Sequence, residues 1–504
     1  MMRQPMFYAD RGQGWENLTG HAGSPAALSS FSVEWGTDSP KEQPSVNVLH
    51  FRLLDRTGML AGNSTRLAGM KVLVQLSRRP LWRDLNATES WDGVSDTLTW
   101  DGLHLAHRPD QTEGPDPTAL TIFTGNTTTG GTITQNPDGT YLLDLYANAQ
   151  LVRAGRTTRQ GPVSTDARLT GLHWTGTAAQ RVDEINRRLT TLGCPPLSDE
   201  AVAWLKANAP TPAPYEADSH PDLSTILYAL AATHPDLPLF YERHRHGSES
   251  VDLVFAGRPA AITMHADGRL TVEGAGLEQE AAPADAITVD DNMLTMPAPV
   301  SRITLRTRAV KWDESGNRFS FEDDEVTIGD RGRLPAELTE TINAVPFSSD
   351  AITRDDSAGH WQAGTWTPTD AQRDQWAEWL AVQTLRLRPK GLTASSRRLD
   401  IDLFEQALQP TASLWAFVST RYTRLLADDG TPATSGAWLA TGGTLSFDWR
   451  DGIPVLENEL DISPLPMLPS TLSRWRDLDP IGIAWQDMPA FTWGEMSQIT
   501  YFTD

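Results

Sequence analysis

The sequence predicts a mainly β, multi-domain protein with an α+β insertion. Three observations carry this: short alternating apolar and polar segments recur before residue 168 and after residue 261, a helical period appears chiefly between them, and 504 residues exceed what one hydrophobic core serves. Length and pattern together predict about three to five compact units. Hydrophobic content of 39% and charged content of 21% are those of ordinary folding proteins, so the turn-rich pattern is read as folded chain.

Residues 1–27 are polar and Gly-rich without a clear period and read as an N-terminal arm. Phe31-Ser-Val-Glu-Trp-Gly36 alternates and is broken by Asp38, Pro40 and Pro44. A second alternating run, Val46 to Leu54, enters the turn Asp55-Arg-Thr-Gly58. Gly69–Leu76, Leu98–Leu105 and Thr118–Phe123 read as further strands, and Asn136-Pro-Asp-Gly139 as a hairpin turn before Thr140–Tyr146. Strands this short and close predict a small antiparallel barrel or sandwich over residues 28–168.

The period changes over residues 169–260. Thr177 or a neighbour caps a helix carrying Val182, Ile185, Leu189 and Leu192, which Gly193 and Pro195-Pro196 end. After the linker Pro210–Pro214, Asp222 stands at an N-cap before Leu223, Ile226, Leu227 and Leu230, spaced i, i+3, i+4, i+7, with His234-Pro235 as the stop. Leu239–His244 and Ser250–Phe255 read as the strands that follow.

Residues 261–465 return to strands, with a hairpin from Val300 to Ile328 around Asp313–Asn317 and a helix marked by Thr367-Pro-Thr-Asp370, Trp376, Trp379, Leu380 and Gln383. Segments 397–426 and 436–460 also look strand-like. Residues 466–504 form an extended Trp/Asp/Pro tail without a continuous period: Pro466, Pro469, Pro480 and Pro489 exclude a long helix or central strand. Trp475, Trp485 and Trp493 there each precede an acidic group and need a surface to bury against, the chain's own or a partner's. They are the candidate partner-binding residues.

Net charge of −23 argues against holding a phosphate backbone, since nucleic-acid binders carry a basic footprint. Only five basic residues are lysines (Lys41, Lys71, Lys206, Lys311, Lys390), an arginine skew typical of GC-rich coding that hints at an actinobacterial origin. No run of about 18 apolar residues is present, and the N-terminus lacks the features of a signal peptide, so neither a membrane span nor an export signal is expected. The sequons at Asn17, Asn63, Asn86 and Asn126 are read as coincidence in a Thr-rich chain. A single cysteine, Cys194, excludes an intrachain disulfide and reads as a small apolar residue near a helix end.

Chemistry-bearing patterns are weak. Glu242-Arg-His244-Arg-His246, with His220 and His234 upstream, puts two histidines on one strand face, but the arginines oppose a bound cation and spacing names no third ligand. Asp313–Asn317 with Glu322–Glu325 does not follow the EF-hand order and reads as a solvated hairpin. No G-x-S-x-G, H-E-x-x-H, P-loop or G-x-G-x-x-G occurs, so no catalytic residue, metal or cofactor is assigned and the chain reads as a non-enzyme. Trp376 and Trp379, three apart on a helix, read as core.

Val33-Glu-Trp-Gly36, Gln43-Pro44, Val48–Asp55 with Gly58, and Gly69–Val74 resemble the hub, or baseplate-hub-like, minor tail proteins of actinobacterial tailed phages. The module at 177–255, the strands at 300–328 and the Trp-Asp tail resemble the same proteins in the same order. The resemblance implies two tube-like β-barrels per chain, a homotrimer forming a pseudo-sixfold ring, and a virion tail-tip location after assembly in the host cytoplasm. Implied partners are the distal tail protein, the tape-measure protein and receptor-binding proteins, with DNA only passing through the channel and no membrane span. Two other readings remain: a tail-tip carbohydrate-binding protein whose exposed tryptophans stack on glycans, and a cell-wall hydrolase using an unrecognised carboxylate pair.

Overall fold

The computed structural model describes residues 5–19, 25–63, 67–76, 115, 119–156, 160–163, 169–210, 214–245, 248–264, 270–274, 277–280, 282–283, 288–289, 294–295, 300–313, 315, 318–329, 338–342, 367–385, 388–389, 392–395, 416–418, 437–466 and 499–501. The strand expected at 98–105, most of the segment 397–426, and Trp475, Trp485, Trp493 and His246 lie outside these residues.

The alternating runs of the N-terminal part become β1 (Pro5–Asp10), β2 (Trp15–Asn17), β3 (Ala26–Gly36), β4 (Ser45–Asp55), β5 (Lys71–Leu76), β6 (Leu120–Gln135) and β7 (Tyr141–Ala149). The middle segment holds β8 (Leu172–His173), β9 (Tyr215–Glu216), β10 (Pro238–Arg245) and β11 (Ser248–Phe255). Beyond it come β12 (Ala261–Met264), β13 (Leu270–Gly274), β14 (Leu277–Glu280), β15 (Ala282–Pro283), β16 (Thr288–Val289) and β17 (Leu294–Thr295). The hairpin β18 (Val300–Asp313) and β19 (Arg318–Gly329) is joined by β20 (Leu338–Ile342). Last are β21 (Arg388–Pro389), β22 (Leu392–Ser395), β23 (Ala416–Val418), β24 (Ala437–Arg450), β25 (Ile453–Pro464) and β26 (Ile499–Tyr501).

Mostly β, the chain departs from the expected pair of separate barrels. Strands from both halves belong to one large sheet in the order β16-β22-β25-β24-β3-β4-β7-β6-β5-β1-β2, and pairing among the described strands does not close it into a barrel. The join is β24 against β3, from Gly442↔Gly36 to Phe447↔Phe31. Gly36, at φ +74°, has no room for a side chain, since a Cβ would collide with the Thr441 carbonyl. Across the join, the Trp35 indole donates to Asn458 at 3.1 Å and the Trp449 indole to the Leu28 carbonyl at 3.0 Å. Such pairings, some 420 residues apart, have no local signature from which sequence could predict them.

The sheet rolls around one apolar core that includes Phe7, Phe31, Phe51, Phe123, Leu143 and Phe447. Ring pairs Phe7–Phe51 and Phe31–Phe447 stand 4.6 and 5.4 Å apart. The roll brings the β2 margin back onto β3: just past β2, the Leu18 amide donates to the Phe7 carbonyl at 2.9 Å and the Leu18 carbonyl accepts from the Ala26 amide at 3.2 Å. Part of the expected arm is therefore an inner strand. β1 pairs with β5 on one side and β2 on the other, and Met6, Phe7 and Tyr8 are all buried, because this short apolar run is covered on both faces and so shows no period of two.

Residues 151–255 build a second core around Val182, Ile185, Leu189, Leu227, Phe240 and Val251. After a short helix at Val152–Gly155, the helix Ala178–Thr191 starts in a capping box between Thr177 and Gln180, and Gly193 follows it at φ +68°. Asp222 caps Leu223–Ala229, accepting from the Thr225 amide at 2.7 Å. A further helix, Asp199–Asn208 capped by Ser198, escaped the sequence reading, since it buries only Ala201 and Leu205 and has almost no apolar stripe. Cys194 is buried just past the helix Ala178–Thr191.

The helix Asp370–Leu385 buries Trp376, Trp379, Leu380 and Gln383, and β18–β19 form the expected hairpin. Within the tail, β26 pairs in parallel with β12, a short regular strand where an irregular segment was expected.

Candidate functional site: the open face of the sheet

Six neighbouring strands, β25-β24-β3-β4-β7-β6, are antiparallel throughout. One transverse row runs Leu456–Phe447–Phe31–Phe51–Leu145–Gly131, its large side chains directed into the core. Since successive residues face opposite sides of a strand, the alternate set defines the other face. That set comprises Glu457, Glu459 and Asp461 on β25, Thr444, Ser446 and Asp448 on β24, and Ser32 and Glu34 on β3. It continues with His50 and Arg52 on β4, Asp144 and Tyr146 on β7, and Thr132 and Thr134 on β6. Each of these residues is partly or fully exposed; the same face also carries half-buried Val48, Leu54 and Leu142 and buried Val455, so one face of the sheet is closed over the core and the other is largely open and mainly polar.

The open face is acidic. Its two ordered clusters are charge-neutralised: Asp144 accepts from His50 Nε2 at 2.5 Å and Arg52 Nε at 2.8 Å, and Arg450 bonds Glu457 with both terminal nitrogens, one at 2.9 Å. Burial works to raise the Asp144 carboxyl, but the His50 and Arg52 bonds outweigh it and hold the group below its ordinary value. His50 also stacks on Tyr146, centroids 4.5 Å apart and planes 12° from parallel. Glu34, Asp448, Glu459 and Asp461 have no ion pair among the described residues. Burial, with the charges of Asp38 and Glu459, holds the Asp461 carboxyl above its usual range.

At one end the sheet meets the middle module. Gln43 bridges to β10, donating to the Pro238 carbonyl at 2.8 Å and accepting from the Phe240 amide at 3.1 Å. The Tyr241 hydroxyl donates to the Thr441 carbonyl at 2.5 Å, and buried Glu242 accepts from the Gln150 and Leu151 amides at 3.3 and 3.2 Å. These bonds, between separate apolar cores, fix the module against the sheet. The opposite end carries the free turns at 136–140 and 451–452, the second with Asp451 and Gly452 at φ 56° and 75°.

The sequence-level candidates are scattered. His244 is buried, its ring nitrogens lack hydrogen-bond partners among the described residues, and burial pushes its imidazole down to about 4. His234 packs against Trp204 in another part of the module, and His220 is exposed. No group of three metal-ligating side chains forms among the described residues. No described helix is long and apolar enough to cross a membrane.

No protein-family profile matches the sequence, and no characterised protein matches it. Among solved structures, the chain is similar to the 43 kDa tail protein of prophage MuSo2 from Shewanella oneidensis, with a TM-score of 0.43 and 7% identity over 91% of this chain and 100% of that one. It is also similar to a tail protein from Neisseria meningitidis MC58, with a TM-score of 0.40 and 9% identity over 90% and 96% of the two chains. A third likeness is to prophage tail protein gp18 from Listeria monocytogenes EGD-e, with a TM-score of 0.39 and 10% identity over 90% and 94%. All three are tail proteins by description, none from an actinobacterial source, and at these scores none decides the function of this chain.

Proposed function

We propose that this chain is a structural hub protein of a phage tail, one copy of a homotrimeric ring that continues the tail tube at its tip. The observation that carries the reading is the open face just described: six antiparallel strands closed on an apolar core on one side and acidic on the other, with Glu34, Asp448, Glu459 and Asp461 unpaired by cations among the described residues. A channel lined by such a face offers a passing phosphate backbone a surplus of like charge, with its arginines Arg52 and Arg450 already paired to carboxylates, so DNA slides without being held. The motif resemblance at 33–36, 43–44, 48–58 and 69–74 supports the same reading.

On this reading the chain is structural rather than catalytic. The distal tail protein, the tape-measure protein and receptor-binding proteins contact its ends, and Trp475, Trp485 and Trp493 anchor the tail segment on one of them. Gold-labelled antibody against this chain should mark intact virions at the tail end away from the head. Label on the head, along the shaft or on no part of the particle would overturn the assignment.

A further inference from the structure

The seam between the middle module and the large sheet holds a buried titratable group that the structural role leaves unused. β10 and β11 form a two-stranded ribbon, and alternation puts Phe240, Glu242 and His244 on one face, paired with Leu253, Val251 and Glu249. Phe240, Leu253 and Val251 belong to the module core, while β10 also packs on β6 of the large sheet.

The two ends of the ribbon are held differently. Pro238–Tyr241 is fixed by the Gln43 and Tyr241 bonds, none of which titrates in the neutral range. The other end is held through carboxyl groups. Glu242 accepts from the Gln150 and Leu151 amides, where the chain leaves β7, and Glu249 bonds the Thr124 side chain on β6.

His244 lies at this second end and is only 4% exposed, yet neither ring nitrogen has a hydrogen-bond partner among the described residues. Buried polar groups are normally paired, and a neutral imidazole tolerates such a place far better than a charged one. On its own strand the neighbouring ionisable groups are buried Glu242 and Arg243, the latter on the other face and paired with Asp252 at 3.1 Å. Opposite on β11, Glu249 Oε1 stands 3.9 Å from His244 Nδ1, beyond a hydrogen bond. β6 brings uncharged Thr124, β5 brings Lys71, whose charge acts on Glu249, and Arg153 past β7 acts on Glu242. The carboxyl opposite His244 is thus already engaged by Thr124 and Lys71. Burial prevails and pushes the imidazole down to about 4.

We infer that His244 is a proton-operated latch: the Glu242–Glu249 end of the ribbon stays closed while the imidazole is neutral, and protonation lifts it about a hinge at Pro238–Tyr241. In the closed seam the ring titrates near 4, and in an opened, hydrated seam at its ordinary 6.5. The open form therefore takes the proton first as pH falls, and opening grows between 6.5 and about 4. Glu242 acts in the opposite sense, because burial raises its carboxyl, so the His244 effect is read as a difference between proteins that share Glu242.

The one cysteine, Cys194, reports opening, since it is buried beside this seam with its thiol donating to the Gln150 carbonyl at 3.4 Å. In the full-length chain, its rate of reaction with a dipyridyl disulfide, which reacts with thiols in acid as well as at neutrality, is compared between the native protein and His244→Gln. The chemistry of the thiol cancels in each comparison at one pH. The native-to-variant ratio of rates should rise about tenfold from about pH 7.5 to about pH 5.5, the factor that a group moved from 6.5 to about 4 supplies. His244→Leu, which is also uncharged at every pH, should give the same rise and covers the case in which the glutamine variant does not fold. Hydrogen exchange in the native protein should quicken relative to either variant over residues 242–251 and stay equal over β3 and β24. A ratio that does not change with pH, or exchange that quickens throughout the large sheet, overturns the latch. Neither result bears on the hub reading, because the measurement does not depend on assembly.

Discussion

Leu227 shows how far residue patterns reach. Its place in the stripe Leu223, Ile226, Leu227, Leu230 predicts burial, and the side chain is buried in the core beneath β10–β11. Leu227→Ala should cost about 2–5 kcal/mol in urea unfolding of the module, and a loss near zero would contradict this packing. Glu242 was beyond such reasoning, because its partners come from elsewhere in the chain. Burial drives its carboxyl up to about 8 and the Glu249 charge adds to this, against the Leu151 and Gln150 amides and Arg153. Between its ordinary 4.5 and about 8, the folded protein keeps a proton that the unfolded chain has released, so stability falls as pH rises through that window. Glu242→Gln should flatten that part of the stability–pH profile while retaining an acceptor for one of the two amides. An unchanged slope would show that Glu242 is already ionised in the fold.

At the scale of elements, strands and helices with a clear period or cap were legible: β3, β4, the β18–β19 hairpin, and the helices starting after Thr177 and Asp222. What escaped was each element whose pattern is erased by burial on both faces, as in β1, or by a weak stripe, as in Asp199–Asn208. The junction of β24 with β3 escaped for a different reason, since register between distant strands is set by packing and glycine placement. At Gly443, φ is +149° and a Cβ would collide with the Glu459 carbonyl. Gly443→Ala should therefore loosen β24 from β25, with hydrogen exchange accelerated over 437–464 and protection in 178–255 retained. Equal protection in the variant would contradict the close approach. For the tail, deleting residues 470–504 removes β26 from β12 and should leave the large sheet folded while incorporation of the next tail component falls. Complete infectious particles from the truncated chain would show that Trp475, Trp485 and Trp493 are not a docking element.

For the whole molecule, the candidate site is a surface rather than a cluster, and its legibility follows from that. Alternation in Phe31–Gly36 and Val46–Leu54 already separated an apolar from a polar face, and the net charge of −23 already argued against DNA retention. Which polar residues lie side by side depends on the register of six strands, which only the fold supplies. Placing the middle module at one end and free turns at the other gives the molecule a direction, as a ring stacked on a tail tube requires. Cryo-electron microscopy of the intact tail tip measures the central claim most directly. The account predicts three copies related by a three-fold axis, with Glu34, Asp448, Glu459 and Asp461 facing the channel. A two-fold assembly, or a ring that turns this face outward and lines its channel with other residues, would contradict it.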